Sequence, residues 1–335
     1  MANRALSVNL VAWDNGGGLS TDIDVLTSVL RSLGCRVLVN SRSRRQPRGM
    51  AARIVNGLKR RLPDRCGPPY DINLFLESID PKVIPHARLN VLIPNPEWFR
   101  SNSMPHLSRM DRVLCKTQSA VDVFRGLAQR TQYIGFTSPD NLSEDVPRLH
   151  EVMCLHVAGA SSEKGTLTVL EVWRRHPDWP RLTVIGKPDI YDRYGGAPAM
   201  VPNVELLNQH LEYRELRKYR NTYAVHLCPS EAEGFGHCIM EAMSCGAVVV
   251  TTDAPPMNEV VTPNRGVLVR ARCSHPMRLG TRYFVDVDDL ERQIGRVIAM
   301  KPEERRALGQ NARQWYLMQR EAFTSAMKAF LAEPN

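Results

Sequence analysis

Two glutamates, Glu233 and Glu241, flank a glycine-bearing segment and have seven residues between them. Glu233 is followed by Gly234-Phe235-Gly236, and the pattern predicts a strand over 224–227, a loop, and a helix beginning near these glycines. Glycines let the backbone approach a ligand closely, and a helix start offers free N–H groups to a phosphate. Glu233 is then placed to bind sugar hydroxyls, and Glu241, about two turns into the helix, to reach ribose hydroxyls. The alternative is an ordinary strand–turn–helix unit with two solvated glutamates.

A basic residue precedes another predicted helix. The strand predicted over 155–157 is followed by Gly159, and Lys164 stands just before the helix. A lysine there is placed to neutralise a departing diphosphate, as a site without a metal requires. Lys187 follows Gly186 at the end of the next predicted strand and is a second basic residue of this kind. A lysine at a helix start is also common on a solvated surface.

A run of three glycines, Gly16-Gly17-Gly18, follows the first predicted strand. It lacks the G-x-G-x-x-G spacing of a dinucleotide-binding loop, and residues 34–48 hold no Asp or Glu to bind the ribose of NAD. The sequence therefore disfavours an oxidoreductase. The run belongs either to a ligand-binding loop or to a simple tight turn.

Short apolar runs alternate with helical stretches along the chain, which indicates parallel sheets covered by helices on both faces. The runs form two series divided near residue 145. The predicted fold class is therefore α/β, with two doubly wound, Rossmann-like domains facing each other across a cleft. We assign residues 1–145 to the first domain, 150–305 to the second, and 306–335 to a C-terminal helix packing back on the first. Strands are expected at 132–136 and at 266–269, among others.

The segment from Pro229 to Gly246 resembles the E-x7-E element of the retaining glycosyltransferases of family 4, which adopt the GT-B fold. Pro229-Ser230, Glu233-Gly234-Phe235-Gly236, Glu241-Ala242-Met243 and Gly246 match it in register. The resemblance is strongest over residues 155–270. It implies a metal-independent enzyme that takes a nucleotide-diphosphate sugar as donor and retains the anomeric configuration.

The same resemblance implies roles for individual residues. Glu233 would contact the donor sugar, the backbone from Gly234 to Gly236 would cradle the sugar and diphosphate, and Glu241 would hold the ribose. Ala160 replaces the arginine that the family commonly has after the turn glycine, and Lys187 is a candidate to compensate. The other residues implied at the donor site are Gly17, Gly18, Gly159, Lys164, Phe235, Gly186 and Glu259.

Residues 92–99 follow a predicted strand and should lie at the rim of the cleft. The histidine motif that many family members carry at this strand end is absent. Asn95 and Glu97 are candidates for the acceptor side, with Glu97 also a candidate catalytic group. Four further residues stay open as acceptor-side groups: His86, His106, Asp14 and Glu77. The structural alternative is a loop shaped and packed by its proline and tryptophan.

The net charge of +9 is concentrated in residues 42–65, which hold nine basic residues and a single acid. Apolar residues recur every four positions within this segment, which is typical of a basic amphipathic helix at a membrane surface or on a polyanion. A solvated helix packed by its apolar stripe is the alternative. The arginines that we single out are Arg44, Arg45, Arg60 and Arg61.

Several classes of protein are disfavoured. No apolar run approaches the roughly 18 residues of a membrane span, and no signal peptide is visible. Eight cysteines without a C-x-x-C pair favour reduced thiols, so we expect a cytoplasmic protein, with peripheral binding at the inner face of the membrane as an open alternative. The D-x-D triplet Asp286-Val287-Asp288 is expected to cap a helix, and Asp22-Ile23-Asp24 to lie within the first helix. The sequence predicts neither a metal site nor a cofactor.

The preferred hypothesis is therefore a retaining, metal-independent glycosyltransferase. UDP, GDP and ADP remain open as the nucleotide of its donor, and the acceptor is a glycan, a lipid-linked glycan or another anionic surface. Three alternatives remain: a glycosyltransferase acting on nucleic acid, a nucleotide-sugar 2-epimerase of the same fold, and a non-catalytic partner subunit that binds a polyanion.

Overall fold

The chain folds around two sheets whose strands alternate with helices. The computed structural model describes residues 4–43, 67–146, 152–159, 161–186, 201–209 and 211–333. The first sheet contains β1 (Ser7–Asp14), β2 (Arg36–Ser43), β3 (Tyr70–Leu76), β4 (Ala87–Ile93), β5 (Arg112–Cys115) and β6 (Thr131–Tyr133). Its strands are all parallel and lie in the order β2-β1-β3-β4-β5-β6. The helices α1 (Gly18–Ser32) and α2 (Gln118–Arg125) belong to this half.

The second sheet has seven strands. They are β7 (Cys154–Gly159), β8 (Leu182–Gly186), β9 (Val204–Asn208), β10 (Val225–Cys228), β11 (Val248–Asp253), β12 (Val267–Met277) and β13 (Gly280–Val285). Their order is β13-β12-β11-β10-β7-β8-β9, and only the β12–β13 pair is antiparallel. The helices are α3 (Thr166–Arg175), α4 (Tyr213–Thr222), α5 (His237–Ser244), α6 (Met257–Val260), α7 (Val287–Ala299) and α8 (Pro302–Ala332). Two parallel, helix-flanked sheets confirm the predicted fold class.

The final helix α8 joins the two halves of the molecule. Its buried side chains share one apolar cluster with residues of the first sheet, of α1 and of α5, and the α8 members are Ala312, Tyr316, Phe323, Met327 and Phe330. Gly309 lets α8 approach the turn after α5, since a Cβ there would lie 2.1 Å from the carbonyl oxygen of Gly246. Burial of these side chains holds the two sheets in one arrangement.

Two strand predictions were wrong in extent. The strand predicted at 132–136 ends at Tyr133, because Gly135 adopts a left-handed backbone with φ +66° while Ile134 and Phe136 turn into the core. The strand predicted at 266–269 continues to Met277 and returns as β13, forming a hairpin that the sequence did not indicate. Most of the hairpin is exposed or half-buried, so it lacks the apolar run that marks the other strands.

The D-x-D prediction is confirmed at Asp286. Its Oδ1 accepts hydrogen bonds from the backbone N–H groups of Asp288 at 3.1 Å and Asp289 at 3.0 Å, so it caps α7. No helix in the described part of the chain is long and apolar enough to cross a membrane.

Candidate active site

An ion pair between Lys164 and Glu233 lies where β7 and β10 end. Gly165, with φ +68°, turns the chain directly after Lys164, and a Cβ there would lie 2.3 Å from the carbonyl oxygen of Pro229. This close approach brings the Lys164 ammonium onto Glu233 Oε1, which also accepts a hydrogen bond from Ser230 Oγ at 2.6 Å. Gly165 is therefore needed to bring Lys164 and Glu233 together.

The pair is held in its charged form although both side chains are largely buried. Burial acts to raise the pKa of the Glu233 carboxyl, but the charge and hydrogen bond of Lys164 outweigh it, and the pKa is lowered. Burial likewise acts to lower the pKa of Lys164, but its electrostatic interactions with Cys238 and Glu233 outweigh burial and raise that pKa. A fixed negative charge beside a fixed positive charge suits a sugar hydroxyl next to a phosphate.

Cys238 joins this cluster, although the sequence predicted only a reduced thiol without a role at the site. Its Sγ lies 3.4 Å from Lys164 Nζ and 3.5 Å from Glu233 Oε1. The pKa of the Cys238 thiol is lowered by its hydrogen bond with Cys228 and by the charge of Lys164. A cysteine two residues after the motif glycine Gly236 was the available signal, but only the fold places its sulfur on the ion pair.

The helix α5 presents an uncapped start to the same cluster. Gly236 occupies the N-cap position with φ 99°, no side chain caps the helix, and its first turn carries no acidic residue. Free N–H groups and the helix dipole at such a start favour an anion. Phe235 does not face the cluster, because its buried ring packs edge-on against Phe136 with 5.3 Å between the centroids. Only the backbone of Phe235 belongs to the loop.

Glu241 lies further along α5 and contacts a different partner. Its carboxylate accepts a hydrogen bond from the guanidinium of Arg220, which also donates to Asn141 Oδ1 at 3.2 Å. Glu233 and Glu241 share no partner among these contacts. The motif therefore places two carboxylates at separate positions, Glu233 in the loop before α5 and Glu241 within α5.

The glycine run at the start of α1 faces α5 across the cleft. A Cβ on Gly18 would lie 3.8 Å from the His237 ring, and Gly17 occupies the N-cap position of α1. Gly17 N–H donates to Asn15 Oδ1 at 2.9 Å, so the run is also a tight turn. One turn later, Asp22 pairs with both Lys116 and His237 at 2.9 Å.

Asp22 lies within α1, as the sequence predicts, but its ion pairs with Lys116 and His237 were not predicted. It stands three residues after Leu19 and four before Leu26, on the apolar face of α1, where an acid must be paired if it is buried. That placement was the available signal. Its partner His237 gave none, since the two residues lie 215 positions apart.

At the carboxyl end of β4, the loop of residues 94–99 crosses towards the second sheet. A Cβ on Gly234 would lie 2.4 Å from Asn95 Cγ, and one on Gly280 would lie 2.7 Å from Glu97 Oε1. Asn95 Nδ2 donates to Glu77 Oε2 at 3.3 Å. Three of the acceptor-side candidates, Glu77, Asn95 and Glu97, thus lie together against the loop of residues 234–236, hereafter the donor loop, and the tip of the β12–β13 hairpin.

A family model described as glycosyl transferases group 1 matches residues 144–315, more than half of the chain. The chain belongs to this family. This membership makes the protein a glycosyltransferase. The family model does not distinguish family 4, which rests on the resemblance of the E-x7-E element. Comparison with curated protein sequences gives no match.

Solved structures show the GT-B fold of this group 1 glycosyltransferase. A sucrose-phosphate synthase from Thermosynechococcus elongatus has a TM-score of 0.71 at 16% identity, with 97% of this chain and 98% of that chain covered. A glycosyltransferase from Rickettsia africae has a TM-score of 0.66 at 12% identity, with 99% and 100% covered. A trehalose-6-phosphate structure from E. coli, bound with UDP-2-fluoro glucose, has a TM-score of 0.64 at 13% identity, with 98% and 99% covered.

The remaining predicted donor residues of this glycosyltransferase fall into two groups. Gly159 and Gly186 lie side by side at the ends of β7 and β8, in register. Glu259 lies elsewhere, since its carboxylate accepts hydrogen bonds from the backbone N–H groups of Gln118 at 2.6 Å and Ser119 at 2.8 Å. It therefore caps α2 of the first half instead of contacting Lys164 or Glu233.

Some predicted residues fall outside the part that the structure describes. They are Ala160, Lys187, Arg44, Arg45, Arg60 and Arg61, the last four within the basic segment 42–65. Asp14 accepts a hydrogen bond from Ser20 Oγ at 2.5 Å, which ties it to the glycine run. His86 and His106 lie in 3-10 turns and contact none of the clustered side chains through a described hydrogen bond. Within the described ranges, no three His, Cys, Asp or Glu side chains form a metal-binding group.

Proposed function

We propose that this glycosyltransferase takes a nucleotide-diphosphate sugar as donor and moves the sugar to an acceptor hydroxyl with retention, without a metal. The observation that carries the proposal is the Lys164–Glu233 ion pair at the uncapped start of α5. A lysine and free helix N–H groups would receive the diphosphate, and the ionised Glu233 would orient the sugar through its hydroxyls. The catalytic groups are thus Glu233 and Lys164, with Glu97 on the acceptor side.

In the proposed step, the acceptor oxygen forms a bond to the anomeric carbon while the bond from that carbon to the diphosphate oxygen breaks. The electron pair of the broken bond passes to the diphosphate, and the proton of the acceptor hydroxyl passes to the departing diphosphate oxygen. Lys164 stabilises this developing negative charge, since it is fixed by Glu233 before the reaction begins. Closure of the two domains on each other would exclude water and limit hydrolysis of the donor.

Glu241 would hold the ribose of the donor. In the structure its partner is Arg220, whose side chain is almost fully buried, so the carboxylate is positioned before a ligand arrives. Gly17, Gly18, Gly159, Gly186 and Lys187 would line the diphosphate path. A glycan or lipid-linked glycan would be the acceptor, and contact of residues 42–65 with a membrane or nucleic acid is a further proposal from their charge.

The test begins with a thermal-shift panel of UDP, GDP and ADP sugars, because a preferred ligand raises the melting temperature by mass action. Product is then followed by mass spectrometry, and the anomeric configuration by NMR. We expect one nucleotide series to stabilise the protein, EDTA to leave transfer unchanged, and the product to keep the donor's configuration. Product formed without any acceptor would indicate a 2-epimerase instead.

Glu233→Gln is the informative variant, since it removes the charge and keeps the shape. We expect donor turnover to fall at least about 100-fold, the range reported for removal of a preorganised charged group. Glu321→Gln, an exposed position on α8, is the matched control and should retain wild-type turnover. Unchanged turnover in Glu233→Gln would overturn the assigned role of the ion pair.

A further inference from the structure

The loop after β4 carries two buried oxygen atoms without a hydrogen-bond partner in the described structure. They are Asn95 Oδ1 and Glu97 Oε2, in side chains that are 7% and 6% exposed. Buried polar atoms in folded proteins almost always have a partner. Two such atoms only two residues apart, beside the donor loop, indicate a place where a ligand supplies hydrogen-bond donors.

Both side chains point at glycines of the second sheet's half. Asn95 lies against Gly234, directly after Glu233, and Glu97 lies against Gly280 at the tip of the hairpin. The hairpin tip is fastened to the same loop, since Leu279 N–H donates to the carbonyl oxygen of Pro96 at 3.3 Å. The unpartnered Asn95 Oδ1 therefore faces the seam between the two halves of the molecule, next to the ion pair, and the other carboxylate oxygen of Glu97, Oε1, lies against the hairpin tip.

Glu77 forms the third member of this group. It directly follows β3 and has φ 61°, a left-handed backbone that a residue with a side chain adopts only at a cost. This conformation brings its carboxylate to Asn95, whose amide nitrogen donates to it at 3.3 Å. The Asn95 amide is thereby oriented, with its nitrogen on Glu77 and its oxygen free for a hydroxyl.

The electrostatics of the group oppose an anionic ligand. The two nearby lysines are committed, Lys116 to Asp22 at 2.9 Å and Lys164 to Glu233. Glu77 and Glu97 make no ion pair with any described residue. Burial raises the pKa of both carboxyl groups, that of Glu97 to about 7, with the charge of Glu233 adding to the effect. The hydrogen bond from Asn95 and the charges of Lys116 and the exposed Arg100 act in the opposite direction on Glu77, but burial outweighs them.

Carboxyl and amide oxygens accept hydrogen bonds from hydroxyl groups, and a half-protonated carboxyl also donates one. A phosphate would instead place two further negative charges beside the carboxyl groups of Glu77, Glu97 and Glu233, and like charges repel strongly in a buried site. Glu77, Asn95 and Glu97 therefore select for a ligand that is rich in hydroxyls and carries no charge at this end.

We propose that Glu77, Asn95 and Glu97 form the acceptor subsite, and that it takes the hydroxyl-bearing face of an uncharged sugar in preference to a phosphorylated one. This inference rests on the proposed function, and it adds the chemical class of the acceptor. The acceptor enters between the 94–99 loop and the two glycines, so that its reacting hydroxyl replaces the contact of Asn95 with Gly234.

The test compares uncharged hexoses and disaccharides with their 6-phosphates, with the donor identified by the thermal-shift panel. Nucleotide release and product mass are measured for each, together with sugar binding to the protein–nucleotide complex. We expect uncharged acceptors to exceed their phosphates at least 10-fold in kcat/KM. Asn95→Ala should lower kcat/KM for the acceptor at least 10-fold and leave the KM for the donor within two-fold.

The double variant Glu77→Gln/Glu97→Gln removes two carboxylates and keeps the shape of their side chains. It should therefore lower the ratio of kcat/KM for the uncharged acceptor to kcat/KM for its 6-phosphate at least five-fold. Gly280→Ala places a methyl group against Glu97 and should lower use of the acceptor alone. Gly126→Ala, which meets nothing within 4 Å, is its control. Circular dichroism and urea melts confirm that each variant is folded.

The outcomes separate the two proposals. If no nucleotide sugar binds, the proposed function fails and this inference fails with it. If the donor binds and is turned over but phosphorylated acceptors are preferred, or if neither acceptor class binds the nucleotide complex, only the acceptor inference is overturned. An Asn95→Ala variant that changes the donor KM instead of the acceptor KM would reassign that residue to the donor.

Discussion

Asp22 of α1 and His237 of α5 join the two halves of the molecule through a hydrogen bond of 2.9 Å between Asp22 Oδ1 and His237 Nε2. The other ring nitrogen of His237 lies 2.6 Å from Ser138 Oγ, and the second oxygen of Asp22 accepts from Lys116 at 2.9 Å. Hydrogen bonds of His237 thus connect the start of α5 to the first half of the molecule. Through this network, the first half of the molecule positions the N–H groups proposed to receive the diphosphate.

Replacing Asp22 with Asn should destabilise the protein by about 3 to 5 kcal/mol, because it leaves the buried Lys116 charge without its partner. Burial acts to raise the pKa of Asp22, but Lys116 and His237 outweigh it and lower the pKa below its usual 3.8. The stabilisation is therefore present above pH 4 and disappears as the pH falls through the lowered pKa. Urea denaturation from pH 3 to pH 7 measures it.

Asp24→Asn is the matched control, because Asp24 lies on the exposed side of the same helix. It should change the free energy of unfolding by less than about 0.5 kcal/mol. Equal effects of the two substitutions would show that the network contributes nothing beyond the charge of the helix.

Replacing Glu97 with Gln should stabilise the protein at high pH. Burial raises the pKa of Glu97 from 4.5 to about 7, so the folded state holds its proton more tightly than the unfolded state. Ionisation then costs folding stability as the pH rises from 4.5 to 7, reaching about 3 kcal/mol above pH 7.

The gain from Glu97→Gln should accordingly be absent near pH 4.5 and largest near pH 8 in urea melts. Glu303→Gln, an exposed position in the first turn of α8, should show no such pH-dependent gain. A gain that is independent of pH would mean that the carboxyl of Glu97 is not the group responsible.

Replacing Lys164 with Met should weaken binding of the nucleoside diphosphate and lower donor turnover, since it removes the proposed counter-charge and leaves Glu233 unpaired. We expect at least about a 100-fold loss in kcat/KM, the usual scale for removal of such a group. Calorimetric titration with the diphosphate and steady-state assays provide the two readouts. Lys328→Met, exposed on α8, should leave both within two-fold of the wild type.

Two helical glycines should respond in opposite ways to Ala. In Gly309→Ala the new Cβ would lie 2.1 Å from the carbonyl oxygen of Gly246, so α8 must move away from the turn after α5. We expect a loss of about 1 to 3 kcal/mol. Gly295→Ala in α7 meets only the Trp179 ring at 3.6 Å, and it should gain about 0.5 to 1 kcal/mol from helix propensity. Thermal melts of the pair test whether α8 is held by this close approach.

Much of the fold follows from local patterns. Strands such as β5 and β8 are short apolar runs, and the start of α5 at the motif glycine follows from glycine and helix preferences over a few residues. The β12–β13 hairpin did not follow from such patterns, because it is stabilised by contacts with distant residues. Arg282 on β13 pairs with Glu163 and Glu231, which lie far away in the chain.

The sequence by itself determined the two-sheet architecture and the motif of Glu233 and Glu241, since both depend on spacing within a single segment. Only the tertiary structure decided which side chains surround that motif. Lys164 reaches Glu233, and Asp22 reaches His237, because strands distant in the chain end at the same cleft. The tertiary structure also decided the pKa of Glu97, because that pKa depends on burial against the β12–β13 hairpin. No local sequence pattern predicted this hairpin.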